Sequence, residues 1–105
     1  MANEQSTYAL PEVSSELGVE EHVLRYWETE FDALQPAKDE SGQRQYCARD
    51  VATARRIHQL LKDEKYTIAG ARQALQHDEQ RRALAQRLRT LRAFLVEMQS
   101  ELRSS

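Results

Sequence analysis

The residues able to do chemistry are few and scattered. His22, His58 and His77 fall on different predicted elements, and none is paired at i, i+4 with another ligand, so no metal site is expected. Cys47 stands alone, which excludes an internal disulfide and suits a reducing compartment. Ser14-Ser15 lacks the glycine-flanked elbow of a serine nucleophile, and no glycine-rich phosphate loop occurs anywhere. The carboxylates Glu28, Glu30 and Asp32 read as a solvated helix end. No catalytic residue, metal or cofactor is therefore expected, and the chain is not expected to be an enzyme. Its charge is more informative. Residues 1–36 carry eight acids against Arg25 alone, a net of −7. Residues 37–76 carry eight bases against five acids, and residues 77–105 six arginines against four acids. An acidic front and a basic rear do not suit indiscriminate coating of DNA, so any nucleic-acid contact must come from a few placed cations.

The elements that must position such cations can be read from the pattern. With 105 residues, 40% apolar and 30% charged, and only 3 Gly and 2 Pro, the chain suits one small, mainly α-helical domain with a modest core, to which burial against a partner would add stability. No apolar run approaches the roughly 20 residues of a membrane span. No secretory signal is visible, so a cytoplasmic location is expected. Met1 to Ser6 are polar and expected to fray. Tyr8-Ala9-Leu10 suits a short extended entry. Pro11 fits the first turn of a helix carrying Leu10, Val13 and Leu17, with Gly18 as its left-handed stop. A second helix from about Glu20 to Glu30 places Val23, Leu24, Trp27 and Phe31 on one face, completing a helix-turn-helix. Pro36, the Asp39-Glu40-Ser41-Gly42 tip and the extended flanks predict a small β-hairpin. A third helix is expected from about Ala48 to Glu64, where Cys47 is a poor substitute for a Ser or Thr cap. A fourth, capped by Thr67, should run from Ile68 to about Gln76 and bury Ile68, Ala71 and Leu75.

The last segment has the cleanest pattern. Leu84, Leu88, Leu91, Leu95, Met98 and Leu102 are spaced 4, 3, 4, 3 and 4 residues apart, on a stretch from His77 to Arg103 free of Gly and Pro. That is an unbroken a/d seam. A helix of this length would extend roughly 40 Å at about 1.5 Å per residue, and its narrow stripe favours a partner helix over folding back on the domain. A coiled-coil dimerisation arm is expected, with residues 7–76 as the domain and 77–103 as the arm.

The sequence Gly18-Val19-Glu20-Glu21-His22-Val23-Leu24-Arg25-Tyr26-Trp27-Glu28, then Gly42-Gln43-Arg44-Gln45-Tyr46, Asp50-Val51 and Tyr66-Thr67-Ile68-Ala69-Gly70-Ala71-Arg72, resembles the MerR family of bacterial transcription regulators. The resemblance runs from about Tyr8 to Leu75. It implies a winged helix-turn-helix whose second helix enters the major groove, with the hairpin as a wing on the DNA backbone. A C-terminal helix would pair antiparallel with its mate. The implied function is a sequence-specific regulator that binds double-stranded DNA as a homodimer on an inverted-repeat promoter site, alongside RNA polymerase and away from any membrane.

By the same resemblance, Arg25 is the recognition-helix arginine, able to fork onto a phosphate or a guanine edge, and Tyr26 reaches the backbone through its hydroxyl. Trp27 packs that helix onto the core. Arg44 meets phosphate or minor groove and Tyr46 braces it. Glu21 and His22 lie on the helix end where bases are read, and Lys62 is a further phosphate contact. The seam from Leu84 to Leu102 is the dimer contact. Glu20 and Glu21 depart from the family by placing acids where the helix enters the groove. Cys47 lacks the cysteine loops of metal-sensing relatives, and no effector domain is expected beyond the arm. A rival reading is a MerR-like adaptor or chaperone modulator that binds protein rather than DNA, which the acidic front would suit; against it stand Arg25 and Arg44, for which no structural need is foreseen. A third is a subunit that heterodimerises through the arm with a longer regulator.

Overall fold

The computed structural model describes residues 6–104; the fraying expected of the first five residues lies outside them. In chain order the elements are β1 (Thr7–Ala9), α1 (Leu10–Leu17), α2 (Glu21–Glu30), β2 (Ala37–Lys38), β3 (Arg44–Cys47), α3 (Ala48–His58) and α4 (Ile68–Ser104). Contacts divide the chain into two units, one up to Arg72 and one from Gln73 onward.

The first unit is built around short helices that could not persist alone. Pro11 sits in the first turn of α1, and Gly18 ends that helix at φ 68°, a left-handed conformation that glycine adopts without strain. The corner is then closed from both sides: Gly18 and Val19 N–H groups donate to the Ser14 carbonyl at 2.9 and 3.1 Å, and the Ser14 hydroxyl donates to the Val19 carbonyl at 2.6 Å. β2 and β3 form the expected hairpin. At its tip Asp39 accepts from the Ser41 and Gln43 N–H groups, each at 2.9 Å, and Gly42 takes φ 85°. The Ser41 hydroxyl, donating to the same oxygen at 2.8 Å, together with these bonds holds the Asp39 carboxyl below its ordinary range. The hairpin is not isolated, however. β1 pairs antiparallel with β3, Tyr8 opposite Tyr46, giving a three-stranded sheet in the order β1-β3-β2.

The core of this unit joins Leu10 and Val13 of α1, Leu24 and Trp27 of α2, Tyr46 of β3, and Ala54 and Ile57 of α3, with Val19, Phe31, Leu34, Leu60 and Ala71. Val19 and Leu34 lie in the connections rather than on a periodic face. Each large apolar side chain buried this way contributes about 1.5–3 kcal/mol.

Two helix boundaries differ from expectation. The third helix does not continue regularly to Glu64. After His58 it widens into one π-helical turn, Gln59–Asp63, closed by the Glu64 N–H on the Gln59 carbonyl; Lys65 then reverses the chain at φ 58°. The fourth and last helices are one. Thr67 caps the start through its hydroxyl, which accepts from the Gly70 N–H at 3.0 Å. From Ile68 to Ser104 the helix is unbroken, because nothing near Gln76 and His77 interrupts its hydrogen bonds. In the second unit Leu84, Leu88, Leu91, Leu95, Met98 and Leu102 are each 44–73% exposed. No helix among the described residues is long and apolar enough to cross a membrane.

Candidate nucleic-acid interface

α2 divides lengthwise into two faces. Leu24 and Trp27 are buried, and the Trp27 ring lies 6.2 Å from the His58 ring of α3, which fixes the helix to the core. The other face carries Glu21, His22, Arg25 and Tyr26, all exposed. Residues one turn apart share a helix face, so these four form a continuous polar strip. Their bonds are loose: Arg25 lies 3.8 Å from Glu21, both side chains about half exposed, and His22 is 3.2 Å from Glu20, both mostly in solvent. Exposed pairs of this kind are worth about 0–1 kcal/mol and are readily exchanged for another anion. Glu20 stands at the N-cap position but makes no capping bond there.

The wing is joined to this helix by a part-buried carboxylate. Glu28, on the last turn of α2, receives the Arg44 Nε at 2.8 and 2.7 Å and the Tyr46 hydroxyl at 2.8 Å. The Glu28 side chain is only 14% exposed and that of Arg44 25%. The expectation that Glu28, Glu30 and Asp32 form a solvated end is therefore corrected for two of the three. Glu28 links α2 to β3, while Glu30 pairs with Arg72, whose Nε also donates to the Glu30 carbonyl at 2.6 Å. The view that Arg44 serves no structural need is corrected too. Its Nε edge is committed to Glu28 because a carboxylate removed from water must be neutralised and hydrogen-bonded. Tyr46, fully buried, reaches the same carboxylate, and burial together with Glu28 pushes its phenol well above the ordinary tyrosine range.

Other predicted residues fall apart from this cluster. Lys62 is exposed on the π-helical turn. Cys47 caps α3 from the backbone side, its N–H donating to Asp50 at 3.1 Å and its thiol to the same oxygen at 3.2 Å. Among the described residues no group of three or more His, Cys, Asp or Glu is arranged to hold a metal. The role of Glu28 escaped the sequence reading. The only available signal was Glu28 recurring with Arg44 and Tyr46 inside the two motifs.

Residues 8–78 match the MerR HTH family of regulatory proteins. The chain belongs to that family. The match runs from β1 into α4, so the helix-turn-helix, the sheet and α3 are all family elements. No curated protein sequence matches the chain. Among solved structures, this MerR-family fold resembles the crystal structure of HiNmlR, a MerR family regulator lacking the sensor domain, bound to promoter DNA. The two are 18% identical over 92% of this chain and 79% of that one, with a TM-score of 0.58. At that identity the likeness is one of fold. It extends over the winged helix-turn-helix and the long helix that follows.

Proposed function

We propose that the protein is a sequence-specific DNA-binding transcriptional regulator, acting as a homodimer on an inverted-repeat promoter site. Residues 7–76 form the DNA-binding domain and residues 77–103 the dimerisation arm. The observation that carries this reading is the two-faced α2, with a core face locked by Leu24 and Trp27 and an outer strip of Glu21, His22, Arg25 and Tyr26 left open beside the wing. Arg25 forks onto a guanine edge or phosphate in the major groove, Tyr26 bonds the backbone, and Glu21 and His22 flank the base edges. Arg44 keeps its Nε on Glu28 and offers its terminal nitrogens to the DNA backbone, braced by Tyr46 through the shared carboxylate. Lys62 adds a phosphate contact. The MerR-family match and the promoter-bound state of the HiNmlR structure support DNA as the partner, with RNA polymerase met at the promoter.

The test is a fluorescent duplex bearing an inverted repeat selected from genomic DNA, titrated at three salt concentrations. Arg25 occurs twice in a dimer, so for phosphate contacts Arg25→Ala should flatten the slope of log affinity against log salt by about 2. If the guanidinium reads a base, it should also lose ~1–3 kcal/mol of discrimination per half-site. Arg44→Ala should weaken all sequences alike, because a backbone contact carries no code. Should both variants bind with parental affinity and slope, the regulator reading fails. A protein-binding adaptor then takes its place. The groove lined by Tyr8, Glu12, Val13, Glu16, Val51 and Arg55 favours that second reading, since acids on an apolar floor suit a basic amphipathic peptide.

A further inference from the structure

We propose that the seam of α4 accepts a second copy of this chain in one antiparallel register, fixed by Phe94 meeting its own counterpart and by Arg87 meeting Glu101 of the other copy. This rests on the homodimer reading above and adds to it the residues that choose orientation, register and partner. The spacing of the seam places Leu88, Leu95 and Leu102 at a positions and Leu84, Leu91 and Met98 at d positions. In an antiparallel pair each a residue lies level with a d residue of the mate. All six are matched only when Leu84 opposes Leu102, Leu88 opposes Met98 and Leu91 opposes Leu95. Sliding by one heptad removes two of the six from the apolar seam on each helix.

The flanking positions select the same register independently. Gln80, Arg87, Phe94 and Glu101 occupy the g positions, and Ala85, Arg92 and Gln99 the e positions. Antiparallel helices set g against g and e against e. In the six-layer register that brings Arg87 against Glu101 twice, once on each side of the dyad, and Phe94 against itself at the centre. One unfavourable contact accompanies these, Arg92 against Arg92 across the other flank. A parallel in-register pair would set each g against the following e of the mate, giving Arg87 against Arg92 twice and Phe94 against Gln99. Charge complementarity therefore opposes the parallel arrangement and supports the antiparallel one. Phe94 is 56% exposed in the single chain. Neither the Arg87 nor the Glu101 side chain is paired within its own chain among the described residues. Both are thus available to a mate, and because the flank of Arg87, Phe94 and Glu101 complements itself, its two charge pairs outnumbering the one Arg92 contact, the surface fits a second copy of this chain.

Sedimentation equilibrium of the full chain at low salt tests this. Arg87 and Glu101 are exposed, so substituting them disturbs no buried group. Arg87→Glu turns both contacts into Glu–Glu, and Glu101→Arg turns both into Arg–Arg. Each variant alone should dimerise on the order of tenfold more weakly than the parent. An equimolar mixture of the two should recover parental affinity as a heterodimer, since both contacts between positions 87 and 101 are again between opposite charges. A dimeric parent with Arg87→Glu tightening the association would overturn the register, because that variant would satisfy Arg92 in a parallel pair. A mixture no tighter than its components would overturn it equally. A parent that stays monomeric at tens of micromolar instead removes the homodimer reading, and this proposal with it.

Discussion

The compact unit and the arm bury their apolar residues in opposite ways. Up to Arg72, Leu24, Trp27, Phe31, Leu34, Tyr46, Ile57 and Leu60 are each at most 4% exposed, and even a carboxylate there has three hydrogen bonds. Along the arm, the six seam residues keep roughly half of their surface in water. Exposed apolar patches larger than a few hundred Å² mark interaction surfaces in soluble proteins. The difference separates two sources of stability. One region is closed on itself; the other leaves its apolar seam open, which the proposed dimer would cover.

The largest effect should come from putting charge into the seam. Leu91→Asp with Leu95→Asp would bury carboxylates at the centre of the dimer, costing several kcal/mol each unless the helices separate. Analytical ultracentrifugation should show a dimeric parent and a monomeric double variant. A variant that remains dimeric would mean the seam is not the contact, and the contrast between the regions would collapse. The compact unit should respond differently, through folding. Trp27→Ala should cost about 3–5 kcal/mol in urea unfolding, as expected for a fully buried ring. A near-neutral result would place part of α2 outside the core.

A smaller loss sharpens the comparison at the wing. Glu28→Ala leaves the Arg44 Nε and the Tyr46 hydroxyl without their acceptor, which should destabilise the unit by ~1–3 kcal/mol. DNA affinity should fall as well, although Glu28 would itself repel phosphate. An increase in affinity would show that Arg44 is more useful to DNA when released. The smallest expected change is a gain. Glu20→Ser supplies the capping oxygen that α2 lacks and removes a charge beside the groove. Binding should tighten by about 0.5–1 kcal/mol, mostly at low salt, since screening weakens the effect of an exposed acid. Duplex titration at two ionic strengths would measure it.

How much of this was legible in the sequence depended on the range of the interaction. The helix-turn-helix corner, the Asp39–Gly42 tip, the Thr67 cap and the buried faces of α1 and α2 each arise from residues a few positions apart, so periodicity and turn chemistry found them. The extended entry near Tyr8 was expected, but its pairing with β3, which sets Tyr8 opposite Tyr46, was not, because three residues carry too little alternation to name a partner strand. The π-helical turn after His58 left no trace, since Gln59–Asp63 continue a helical pattern. The unbroken run through Gln76 and His77 was missed for the opposite reason: two separate apolar stripes suggested two helices where no residue enforces a stop. At the candidate site, Arg25, Tyr26 and His22 lie on the exposed strip, as helical spacing from the buried Leu24 and Trp27 dictates. Glu28 was not recognised, because partial burial of a charge depends on partners sixteen and eighteen residues away.

The lengthwise division of α2 has a consequence for redesign. Glu21, His22, Arg25 and Tyr26 lie outside the core, while Leu24, Trp27 and Glu28 hold the helix in place from behind. The outer strip therefore behaves as interchangeable type set in a fixed frame. A library varied at those four positions among residues other than Pro and Gly should yield mostly folded proteins, and under the proposed function the operators they select can diverge while the scaffold stays the same.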